Sequence, residues 1–231
     1  MKKTNLLLSL ILFAITATSF AQADMKETIA MIKTNLVQSK EKVKQYAWIE
    51  TTKTYIKGEL KSTKQNQCYY SVDGQLTKVA TGGTDQAKKP GGLKGKIIAN
   101  KKEEMADYIA KAMEKIKAYM PPDGEKIQQI YGAGKVTIQV LEPGKKFKLS
   151  FPDYLQQGDM LSLSLDKANQ KLMAGNITTY IDKPEDKVIF DVTYKDLPDG
   201  TQYIVTTSLV AAAKNLKIVI ENSGYKKGAA N

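Results

Sequence analysis

From Val136 onward, short runs that alternate apolar and polar residues are separated by turn-forming residues, and this restricts the fold more than any other feature of the chain. Leu161, Leu163 and Leu165 stand against Ser162, Ser164 and Asp166, and Val188, Phe190, Val192 and Tyr194 against Ile189, Asp191 and Thr193. A period of two puts one set on each side of a strand. Strands are predicted at 136–142, 145–151, 160–166, 170–182, 187–195, 202–210 and 215–222. The connections Lys167 to Asn169, Lys183-Pro184-Glu185-Asp186 and Leu197-Pro198-Asp199-Gly200 are too short for crossovers, so consecutive strands must be antiparallel neighbours.

The first half reads differently. Met25, Ile29, Ile32, Leu36 and Val43 recur at helical spacing, which predicts an amphipathic helix over 24–44. Trp48 to Lys61 is rich in Thr, Tyr and Ile and reads as one long strand. Segments 67–72 and 75–80 flank Asp73-Gly74, a hairpin-turn dipeptide. Residues 82–96 hold five glycines and Pro90 and read as a mobile loop. Asn100, with Glu103 three residues on, is placed to cap a second helix whose Met105, Ile109, Ala112, Met113, Ile116 and Met120 share a face. Pro121-Pro122 ends it, and a shorter helix follows from Asp123 to a terminator at Gly132. The expectation is an α+β fold. About ten strands exceed what a flat open sheet usually carries, so a strongly curved antiparallel half-barrel is expected, with the N-terminal helix and the two inserted helices as plug or lid.

The first 23 residues read as a cleavable export signal: Lys2 and Lys3, an apolar run from Leu6 to Ala17, and Ala21-Gln22-Ala23. A soluble periplasmic or secreted chain is expected, comprising one domain over 24–231 with a helical insertion at about 98–132. Cys68 is the sole cysteine, so no intramolecular disulfide can form, and a buried thiol is expected.

All 35 basic residues are lysine, with no arginine and no histidine. Ser-His-Asp triads, Cys-His pairs and imidazole zinc sites are excluded, and bidentate arginine readout of nucleic acid is lost. Removing the signal takes away Lys2 and Lys3 and no acid, lowering the formal charge from +11 to +9. Such a surface favours anionic partners such as membrane headgroups.

Ser39-Lys40-Glu41-Lys42 matches the Ser-x-x-Lys spacing of some acyl-transfer enzymes, on a helix whose solvated lysines keep a high pKa. Gly95-Lys96 fails as a phosphate loop, with Pro90 where the leading glycine belongs and Ile97 in place of Ser or Thr. Asp153, Asp159, Asp166, Asp182, Asp186, Asp191 and Asp199 would supply the carboxylates of a hydrolase, although most fall in turns. Asn176-Ile177-Thr178 matches a glycosylation acceptor within a predicted strand. The methionines of the second helix, with Met160 and Met173, suggest an adaptable apolar surface.

The helix leading into Tyr46-Ala47-Trp48-Ile49-Glu50, the Tyr70-Ser71-Val72-Asp73-Gly74 hairpin, the inserted helices and the strand meander together resemble the periplasmic lipoprotein-carrier superfamily over the whole mature chain. The resemblance implies an unclosed barrel whose helices cover an apolar cavity, and non-enzymatic binding of acyl chains or another lipid-like ligand. Carriers that deliver lipoproteins to the outer membrane use an arginine inside the cavity; this chain has none, so a different apolar ligand is implied. The expectation is a monomeric carrier without metal, cofactor or nucleic acid, making transient contact with an anionic membrane surface. Expected cavity residues are Trp48, Ile56, Met105, Ile109, Met113, Ile116, Leu163, Phe190 and Val192, and Lys88, Lys89, Lys94, Lys96, Lys101 and Lys102 would meet anionic headgroups. The alternative is a structural or interaction module that binds an anionic envelope component or a protein partner.

Overall fold

The computed structural model describes residues 27–85 and 92–228. Helix α1 (27–43) leads into β1 (Tyr46–Ile56), β2 (Glu59–Tyr70) and β3 (Leu76–Asp85). Helices α2 (Gly92–Lys117) and α3 (Gly124–Gly132) follow. Seven further strands complete the chain: β4 (Thr137–Glu142), β5 (Lys146–Pro152), β6 (Met160–Asp166), β7 (Lys171–Tyr180), β8 (Lys187–Asp196), β9 (Gln202–Ala211) and β10 (Leu216–Lys227).

The ten strands form one sheet in the order β3-β2-β1-β10-β9-β8-β7-β6-β5-β4, with every neighbouring pair antiparallel. This is the α+β half-barrel read from the sequence: a long, curved, unclosed sheet with β3 and β4 as its edges and helices inserted between strands. The two meanders, β1–β3 and β4–β10, meet where β1 pairs with β10, from Tyr46 opposite Lys227 to Ile56 opposite Leu216. That pairing covers an edge which β10 would otherwise present to solvent.

The predicted strand over Trp48–Lys61 is two strands. Lys57 and Gly58 have φ of 54° and 78°, and Ile56 pairs with Glu59, so a two-residue hairpin turn divides it. Positive φ at both central residues matches the twist of the flanking strands. The 82–96 segment also departs from expectation. Strand β3 continues through Gly82-Gly83 to Asp85, and α2 begins at Gly92; residues 86–91 lie outside the described residues. Asn100 is therefore inside α2 rather than at its cap, and the helical insertion starts before 98. Leu93, Lys94, Lys96, Ile97, Ile98 and Ala99 are sound helix formers, and one interior glycine, Gly95, costs only about 1 kcal/mol. The short helix α3 agrees with its prediction: Asp123 Oδ1 accepts from Glu125 N at 2.8 Å and Lys126 N at 3.3 Å. The left-handed residue beyond its end is Gly134, φ 69°, rather than Gly132.

Gly83 is required where it stands. At φ 151°, a Cβ would lie 2.5 Å from the Thr63 carbonyl oxygen and 3.1 Å from Lys64 Cα. Gly83→Ala should therefore cost about 2 kcal/mol, read as a lowered urea midpoint with an unchanged slope.

The helices pack on the β5–β9 region. Leu149, Phe151, Leu161, Leu163, Leu165, Leu172, Ile177, Val188 and Leu209 join Ile32 of α1, Tyr108, Ala112 and Ile116 of α2 and Ile127 of α3 in one buried core. Full burial of a residue such as Leu149, Phe151 or Leu161 contributes about 2 kcal/mol each. Among the described residues no helix is long and apolar enough to cross a membrane.

Candidate functional site

The helices leave the aromatic end of β1, β2, β9 and β10 only partly covered, by the last turns of α1. A cavity of about 350 Å³ opens there, lined by Leu36, Lys40 and Val43 of α1, Trp48, Tyr70 of β2, Tyr194 of β8, Gln202, Tyr203 and Ile204 of β9, and Asn222 and Tyr225 of β10. Helix α1 is held over it by two side chains. Ser39 Oγ accepts from Gln202 N at 3.1 Å, and Asn35 Nδ2 donates to Gln170 O at 2.9 Å. Ser39 is thus buried and bonded to the start of β9, a structural use that its place on a lysine-rich helix did not suggest.

Sheet pairing assembles the aromatic cluster. Trp48 stacks on Tyr225 with ring centroids 5.5 Å apart and planes 9° apart, Tyr203 meets Tyr225 at 4.5 Å, and Tyr70 meets Trp48 at 6.0 Å. Trp48 Nε1 donates to Asn222 Oδ1 at 3.1 Å, and Asn222 Nδ2 donates to Ile204 O at 3.0 Å, so one polar chain ties β1, β10 and β9 together. Burial pushes the Tyr194 phenol up to about 12 and raises that of Tyr225, so both are neutral at physiological pH. Cys68, opposite Trp48 on β2, is fully buried and free, its thiol raised first by burial and then by the charge of Glu50. Both oxygens of Glu50 accept from Lys78 Nζ, at 2.7 and 2.6 Å.

Gln202 is 7% exposed; its Nε2 donates to Leu172 O at 2.9 Å, and its Oε1 has no partner among the described residues. A buried acceptor left unpaired costs stability.

Of the nine apolar residues expected to line a cavity, Trp48 lines this one and the other eight do not. Ile116 and Leu163 lie inside the core, Ile56, Met105, Ile109, Met113 and Phe190 pack against it, and Val192 is buried on β8. The methionine face of α2 is directed at packed side chains. Of the expected headgroup lysines, Lys101 and Lys102 are exposed on α2; Lys88 and Lys89 lie outside the described residues, as do the side chains of Lys94 and Lys96 and the proposed export signal. Tyr70 and Tyr194 enter the sequence reading only as parts of a hairpin and a strand, and Tyr203 and Tyr225 not at all. Their signal was weak: each stands near a strand end, where tyrosine commonly packs.

Six of the seven aspartates considered for hydrolysis are bonded separately rather than converging. Asp153 accepts from Gly158 N, Asp159 from Tyr119, Asp166 from Asn169, Asp186 from Tyr108, Asp191 from Asn176 and Asp199 from Tyr46. Among the described residues no three His, Cys, Asp or Glu side chains are grouped as a metal site. Asp199 is the most perturbed of these. The Tyr46 hydroxyl at 2.6 Å, with Thr201 N at 3.0 Å, holds its carboxyl at about 2. A carboxyl depressed by folding adds stability that is present above its unfolded pKa, near 4, and is lost as pH falls toward 2. Tyr46→Phe should return the Asp199 titration toward the ordinary carboxylate range, measured by carboxyl chemical shifts, and flatten the acid limb of stability over that window.

The fold and cavity define a curved antiparallel sheet carrying an aromatic pocket at one end. No protein-family model matches the chain, and no curated protein does. A DUF1329 family protein of known structure, from Desulfovibrio piger, is similar over 87% of this chain and 94% of its own, at 8% identity and a TM-score of 0.31.

Proposed function

We propose that this is a non-enzymatic binding protein, exported to the periplasm, which carries a lipid-like or other apolar ligand in the cavity beside Trp48. The observation that supports this reading most is the combination of about 350 Å³ of open space with Leu36, Val43 and five aromatic rings around it. Small-molecule sites are concave, largely apolar and supplied with a few polar groups, and this cavity has that make-up in Lys40, Gln202 and Asn222. Half-buried aromatic rings give large contact area at low entropic cost, since each has only two side-chain torsions to fix.

Delipidated protein should bind fatty acids or hydrophobic dyes saturably in calorimetric titration, with one site and a negative heat-capacity change from apolar burial. Folded, delipidated protein that shows no saturable heat with fatty acids, phospholipids or dyes contradicts the proposal.

A further inference from the structure

Five tyrosine hydroxyls outside the cavity have partners. Tyr46, Tyr108 and Tyr119 donate to aspartates, Tyr180 donates to Gln157 O, and the Tyr154 oxygen accepts from Asp123 N. Tyr70, Tyr194, Tyr203 and Tyr225, around the cavity, form no hydrogen bond through their hydroxyls with any described residue, as is also true of Tyr55, Tyr69 and Tyr131 elsewhere, so their phenol groups are free to meet a ligand. Beside them stands Lys40, exposed and without an ion pair among the described residues, whereas Lys44, just past the end of the same helix, is bonded to Glu41. A cation and a set of neutral phenol donors at the rim of an apolar pocket are the groups that receive an oxyanion.

We propose that the cavity selects amphipathic anions with a single chain or a single ring, the oxyanion head meeting Lys40 and the tyrosine hydroxyls and the apolar body lying against Leu36, Val43 and Trp48. This rests on the reading of the cavity as a ligand site. Size sets the first preference: about 350 Å³ lies at the small end of ligand pockets, which run to roughly 1,000 Å³, and suits one chain or ring better than two or three. Charge sets the second. Among the described residues lining the cavity, Lys40 is the one charged side chain, so the head is favoured on its side. Gln202 Oε1 can only accept, and takes no part in holding the head. A carboxylate and a phosphate monoester offer the same acceptor oxygens and negative charge.

Emission from Trp48, the sole tryptophan, reports occupancy of the cavity. Wild-type protein, Lys40→Gln and, as a control on the same helix, Lys42→Gln would be titrated with dodecanoate, dodecyl phosphate and dodecan-1-ol. The proposal expects the anions to bind about tenfold more tightly than the alcohol, Lys40→Gln to remove that preference, and Lys42→Gln to keep it. The tighter of the two anions identifies the head as carboxylate or phosphate. Equal affinity of wild type for alcohol and anions overturns this selectivity while leaving the cavity as a ligand site. No saturable change with any of the three overturns the cavity reading and this inference with it.

Discussion

Trp48→Ala is expected to lower the stability of the protein by about 4 kcal/mol, measured by urea unfolding. Trp48 is 7% exposed and holds three separate parts of the sheet together. Its ring stacks on Tyr225 of β10 and lies tilted against Tyr70 of β2, and its Nε1 bonds to Asn222, which in turn holds Ile204 O of β9. Alanine removes the largest side chain in the aromatic cluster and leaves Asn222 Oδ1 without its donor. The gap opens into the existing cavity, so neighbours gain little by collapsing into it. Trp48→Phe keeps much of the ring area and loses only the Asn222 bond, and should cost about 1–2 kcal/mol. Ligand affinity should fall in the same order, about tenfold in Trp48→Phe, because the ring forms one wall of the pocket.

The second large effect lies at the far side of the core. Asp159→Ala should destabilise by about 3 kcal/mol. Asp159 is 2% exposed, and its Oδ2 accepts from Tyr119 at 2.6 Å, Leu155 N at 3.0 Å and Gln156 N at 2.9 Å. Tyr119, fully buried just beyond α2, has a second partner in Thr179 at 2.7 Å on β7. One carboxylate therefore anchors the β5–β6 loop and fixes the end of α2 to the sheet. Alanine strands two loop amides and weakens the hold on Tyr119. Asp159→Asn retains an acceptor oxygen for the three donors and removes the buried charge, with an amide NH2 taking the place of Oδ1, which has no partner among the described residues. It should cost about 1 kcal/mol, and the contrast between the two variants separates lost acceptors from lost charge.

The strands after Val136 were legible because alternation and turn chemistry are local. Leu161, Leu163 and Leu165 announce their face, and the turn after Leu197 carries Pro198-Asp199-Gly200; β6 spans the predicted 160–166. The first hairpin was hidden because its turn is Lys57-Gly58 rather than an Asn-Gly or Asp-Gly pair, and Thr54-Tyr55-Ile56 and Glu59-Leu60-Lys61 read as continuous strand on either side. The start of α2 was misplaced because glycines at 91, 92 and 95 signal a breaker locally, while the run from Leu93 to Ala99 supports a helix.

The candidate site was less legible, for a topological reason. Trp48 draws notice as the sole tryptophan, but Tyr203 and Tyr225 reach it only because β1 pairs with β10, a contact between residues near opposite ends of the chain. Neither alternation nor turn chemistry encodes that pairing. The methionine face of α2 has the same spacing whether it lines a cavity or fills a core, and the packing of Met105 and Met113 against Ile116 and its neighbours is set by the sheet beneath.

The central claim is that ligand sits at the aromatic end of the sheet, beside Trp48. A crystal structure of the protein saturated with dodecanoate tests it most directly. The account predicts density for one chain bounded by Leu36, Val43, Trp48, Tyr203 and Tyr225. Density between α2 and the sheet instead, or an empty aromatic pocket at saturating ligand, would contradict it.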